Sequence, residues 1–258
     1  MALEKEKNLK SGSEPIMELK LKCQKKKPPI FWRDKFLRSV SIRFTKLFLL
    51  MGMNANNVSA LVFIFGITSA FFYMNGEYAY SLIALLLHHL HFIFDGCDGE
   101  VARYRKTTEL EDNRGVYLDL MSHMVVYPLL VMGMAIGVYR DNPLSIPDST
   151  FLILGFVGAY SLMLTNFAST KKYELFVKKN SIDVIKSLNK TLKGEDGKKI
   201  NWIKEEIWFL LSFELFNLMF IFTILNAIWV LVIFYAVIFP LNAIRKFYFG
   251  YKNIDRIG

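Results

Sequence analysis

Cysteine is nearly missing from this chain: Cys23 and Cys97 are two among 258 residues. That excludes the disulfide framework of a small secreted fold. Residues 1–30 are rich in lysine and carry no apolar h-region, so a cleavable signal peptide is not expected. Internal repeats and low-complexity tracts are absent. The net charge is +9, yet no nucleic-acid-binding motif accompanies it, so no nucleic acid partner is expected.

What the chain does have is long apolar runs. Hydrophobic residues make up 53% of it, gathered into stretches rather than scattered as in a soluble domain. A bilayer core of ~30 Å takes about 20 apolar residues in a helix. Six stretches qualify: about 58–74, 79–94, 116–138, 151–168, 207–225 and 228–247. The expected fold class is therefore all-α and integral to a membrane. With the N-terminus in the cytosol, every Lys and Arg except Arg140 falls on the cytosolic side, as the positive-inside rule demands. Both termini are then cytosolic and membrane lipids are constant partners. A bacterial inner membrane is the expected location. Residues 1–29 read as a basic cytosolic tail, disordered or lying on the surface, and 30–258 as one membrane domain. Within it, Phe36, Leu37, Val40, Phe44, Leu47 and Phe48 recur at spacings of three and four, so 30–50 reads as an amphipathic helix in the headgroup interface.

The informative stretch runs from Phe94 to His123. Asp95 and Asp98 are three apart and share a helix face; Asp119 and His123 are four apart and share a face of the next helix. Two helices joined by a short loop are antiparallel neighbours, so their polar faces can converge at the membrane surface. Three carboxylates brought together there need compensation. Hard divalent cations with oxygen ligands supply it, and two such ions clamping a diphosphate is a recurring solution for phosphoryl transfer. Gly99 leaves room for a ligand to approach the helix, and Arg103 offers a planar donor fork for phosphate.

These residues resemble the signature of the CDP-alcohol phosphotransferases, D-x-x-D-G-x-x-A-R followed by G-x-x-x-D-x-x-x-D. Asp95, Asp98, Gly99, Ala102, Arg103, Gly115 and Asp119 match it residue by residue. Ala55-Asn56-Asn57-Val58-Ser59 is similar to the family's P-N-x-[IV]-T, a weaker match. The resemblance implies six transmembrane helices after an N-terminal interfacial helix, and transfer of a phosphoalcohol group from a CDP-linked donor to an alcohol acceptor, releasing CMP, in phospholipid biosynthesis. It implies Mg²⁺ or Mn²⁺, two ions, on Asp95, Asp98, Asp119 and the residue at 123. Gly99, Ala102, Arg103, Gly115 and Asn56 would line the donor site. Homodimers are frequent in the family, although no interface is readable here. Two features depart from the pattern. The gap between Arg103 and Gly115 is longer than usual, and His123 stands where the family has its fourth Asp.

His123 has three readings: a general base, a neighbour hydrogen-bonding phosphate or acceptor, or the mark of a protein that binds nucleotide or lipid without catalysis. His88 and His91 form one stripe with Asp98 and are candidates, with Arg105, for an acceptor cavity. Packing against a neighbouring helix explains both histidines equally well, and zinc-ligand spacing is absent. Two directions of transfer remain, with the lipid on CDP or with a polar alcohol on CDP and a lipid or glycan acceptor. A transporter would need polar residues along the later spans, where few beyond Glu214, Asn217 and Asn226 occur.

Overall fold

The computed structural model describes residues 12–24, 32–105, 109–141, 144, 147, 149–179 and 215–252. Among the described residues the chain is helical with no strand. The helices are α1 (Ile16–Cys23), α2 (Trp32–Leu50), α3 (Ala55–Tyr73), α4 (Tyr78–Arg105), α5 (Glu109–Asp141), α6 (Ser149–Lys179), α7 (Leu215–Ile224) and α8 (Ile228–Lys252). Five segments are long and apolar enough to cross a membrane: Ala55–Tyr73, Tyr78–Arg105, Tyr117–Asp141, Ser149–Ala168 and Ile228–Tyr248. Of the expected span at 207–225, residues 207–214 lie outside the described residues, and the ten residues of α7 are too few to be counted.

The chain divides into two compact units, Met1–Ser69 with Ile83–Val126, and Ala70–Leu82 with Tyr127–Gly258. In the first unit α1, α2, α3 and α4 share a core of Leu19, Ile42, Phe48, Val58, Phe94 and Cys97, among others. Phe94 is its hub. The rings of Phe44, Phe48 and Phe65 stand edge-on to it at 5.1–5.3 Å, a geometry that the aromatic quadrupole favours. Asn54 caps α3, its side-chain oxygen accepting the Asn57 N–H at 2.8 Å.

In the second unit α6 packs along α8, and α7 turns into α8 through Asn226 in the left-handed region at φ 52°. The end of α3 lies against α5 so closely that a Cβ on Gly133 would sit 2.5 Å from the Ala70 carbonyl oxygen. Small residues at such spacing let membrane helices approach backbone to backbone.

Two regions differ from the sequence expectation. Part of the tail expected to be disordered or surface-lying is a seated helix: Leu19 and Cys23 of α1, four apart, are fully buried. Ile16, Met17 and Leu21 of the same helix are exposed, so its apolar residues do not line up on the buried face, and Leu19 and Cys23 alone are too few to register as a periodic stripe. In α2, the stripe expected to meet lipid does include exposed residues, with Phe36 at 53% and Leu47 at 49%. A second face, with Ser41, Ile42, Thr45 and Leu49, is buried. Its hydroxyls are polar partners for α4 and do not register as hydrophobic periodicity.

Candidate active site

The motif is split between two helices. Asp95 to Arg103 occupy the last turns of α4, and Gly115 to His123 lie on α5. Asp95, Asp119 and His123 converge: one ligand atom of each lies within 4.8 Å of the others. The His123 ring donates from Nε2 to Asp119 Oδ1 at 3.0 Å. Asp98 does not join this trio within the same limit. Its Oδ2 accepts the Ser59 hydroxyl at 2.8 Å, and it stands in electrostatic reach of Asp95 and Asp119.

All four residues line a cavity of about 490 Å³. Gly99 and Arg103 line it too, as do Glu100 on α4, Gln24 after α1, and Arg38 and Ser41 on α2. A Cβ on Gly99 would sit 3.2 Å from Nη1 of Arg103, so the glycine accommodates the guanidinium lying across the helix. The Arg103 Nε–H donates to the Cys23 carbonyl.

The other expected site residues fall elsewhere. Asn56 and Gly115 face one another, with the Asn56 side-chain oxygen 3.8 Å from where a Gly115 Cβ would be. Neither they nor Ala102 nor Arg105 line the cavity. His88 and His91 are 0% and 1% exposed and are not among the lining residues either. His91 Nδ1 donates to the Val62 carbonyl at 2.8 Å, and its ring stacks on that of His88 at 5.9 Å.

Residues 53–188 match the CDP-alcohol phosphatidyltransferase family. The chain belongs to this family. It is also 27% identical over 124 residues, 48% of its length, to the inner membrane protein YnjF of Escherichia coli K12. The alignment covers 55% of that relative, so the chain spans about half the length of the curated relative it matches. Membership and the apolar helices together make this a multi-pass integral membrane protein.

Two residues around the motif were missed as site components by the sequence reading. Ser59 appeared only within a weak motif match, yet it holds Asp98. Glu100 falls at an unspecified position of the motif, yet it is 2% exposed. Its carboxylate accepts from Ser41 Oγ at 2.9 Å, Thr45 Oγ1 at 2.6 Å and Gln24 Nε2 at 2.9 Å. The one sequence signal was a glutamate with valine and alanine next along a membrane helix.

Proposed function

We propose that this protein transfers a phosphatidyl group from a CDP-linked lipid to an alcohol, releasing CMP, with the site on the cytosolic face of a bacterial inner membrane. The observation that carries this reading is the convergence of Asp95, Asp119 and His123 on one wall of a polar cavity, with Asp98 beside them. The carboxylates of Asp95 and Asp119, with ligand atoms this close, fit a divalent cation of the Mg²⁺ or Mn²⁺ kind, with the His123 ring beside it. When bound, such ions neutralise the diphosphate and the departing CMP.

The chain's own residues divide the remaining work. Ser59 holds Asp98 in one orientation, so that this carboxylate is preorganised to join the ligand set. Arg103 directs its outer nitrogens toward the donor phosphates from across Gly99. Asp119 accepts the hydrogen bond of His123 Nε2 and so orients the ring at the cavity wall. His123 takes the proton of the attacking hydroxyl, the role the family gives to an aspartate, and Asp119 stabilises the imidazolium that forms. The interfacial face of α2, with Phe36 and Leu47 outward, keeps the lipid part of the donor in the leaflet.

The test is CMP release by the purified protein with Mg²⁺ or Mn²⁺, CDP-diacylglycerol and a pool of polar alcohols, beside an Asp98→Asn variant. Release by the parent and its loss in the variant support a lipid donor. Release only when a CDP-polar alcohol replaces the lipid donor would assign the opposite direction of transfer.

A further inference from the structure

The segment Gly12–Gln24 lies outside the family match, yet it reaches the motif helix at three levels. The Tyr104 hydroxyl accepts the Gly12 N–H at 3.2 Å and donates to Glu14 Oε1 at 2.6 Å. The Arg103 Nε–H donates to the Cys23 carbonyl. The Gln24 amide donates both to Glu100 Oε1 at 2.9 Å and to the Arg38 carbonyl at 2.6 Å. The last carbonyls of a helix have no partner within it, and a basic side chain is their natural donor. Cys23 O is such a carbonyl. The residue after it is tied to α2 and α4 together.

The tie is strong for a physical reason. A side chain as polar and as buried as that of Glu100 is costly unless its oxygens are hydrogen-bonded. Gln24 supplies one of three donors. With Nε committed to Cys23, the guanidinium plane is fixed, and Nη1 and Nη2 lie over Gly99 at the cavity wall.

We propose that Gln24 and Glu100 are positioning residues for Arg103: they hold the end of α1 so that its carbonyl orients the guanidinium toward the donor phosphates. This rests on the reading of Arg103 as a phosphate ligand given above.

The experiment uses the full chain in detergent, with Gln24→Ala and Glu100→Gln, each also in a Cys97→Ala background so that Cys23 is the sole thiol. Gln24→Ala leaves the two hydroxyl donors on Glu100, so it tests the tie if Glu100→Gln does not fold. Two readouts separate the seat from its purpose. Maleimide labelling of Cys23 reports whether α1 stays docked, and we expect it to rise about tenfold in either variant. CMP affinity, and the KM for the CDP-linked donor, report on Arg103. We expect both to weaken about tenfold with kcat within about twofold, and Gln24→Ala to add nothing in an Arg103→Ala background. Unchanged labelling would overturn the seat. Faster labelling with unchanged CMP affinity, or additive losses with Arg103→Ala, would overturn the positioning role. A parent that binds no CMP would overturn the functional reading and the role of Arg103 with it, while the labelling still decides whether Gln24 holds α1.

Discussion

Asp119 and His123 are joined by one hydrogen bond of 3.0 Å, and the chemistry proposed here depends on that pair. His123→Ala removes the base while leaving Asp95, Asp98 and Asp119, so kcat should fall by about 10²–10⁴. His123→Asp restores the family's carboxylate and should retain turnover far above the alanine variant, measured as CMP release. Ser59→Ala deletes the hydroxyl that holds Asp98; the metal concentration giving half-maximal CMP release should rise about tenfold, the lower end of the effect of losing a group that orients a ligand. A separate expectation concerns Cys23. Burial first, and then the nearby charge of Glu100, push its thiol up to about 11. The thiolate is the reactive form, so labelling of the folded parent should be slow at pH 8 and climb as pH rises toward 11. The convergence of Asp95, Asp119 and His123 was legible in the sequence, because Asp95 with Asp98 at i, i+3 and Asp119 with His123 at i, i+4 put polar faces on two neighbouring helices. Glu100 was not, because its meaning comes from Gln24, Ser41 and Thr45, between 55 and 76 residues away.

The helices explain how those side chains come together. α4 carries the hub of the first unit's core on one side, at Phe94, and the first motif aspartate at the next position. Its 28 residues run unbroken from an apolar membrane segment into the motif, which the sequence suggested by a short span with a polar lower end. The close helix approaches could not be read in advance. Gly66 gives way to the Val126 side chain and the His91 ring, and Gly133 to the Ala70 carbonyl, contacts that depend on pairings no local pattern encodes. At Gly133 the obstacle is backbone. Gly133→Val should cost about 1–3 kcal/mol and lower the melting temperature in detergent by several degrees, with no direct contact to the cavity. The short α1 was hidden for the converse reason: its apolar residues fall on more than one face, and only Leu19 and Cys23 report the buried one.

For the whole molecule, the composition and the placement of charge were sufficient to read an all-helical membrane protein, and the described helices include five able to span. The family match over residues 53–188 places the chain in the CDP-alcohol phosphatidyltransferase family. The central claim is that the cavity bordered by Asp95, Asp98, Asp119 and His123 performs metal-dependent transfer from a CDP-linked donor. The most direct measurement is CMP release from CDP-diacylglycerol by the purified protein across a pool of alcohols, with Mn²⁺ or Mg²⁺ titrated in after chelation and Asp119→Asn run alongside. Release should rise and saturate with metal and be lost in the variant. Metal-independent release, or release that survives Asp119→Asn, would contradict it.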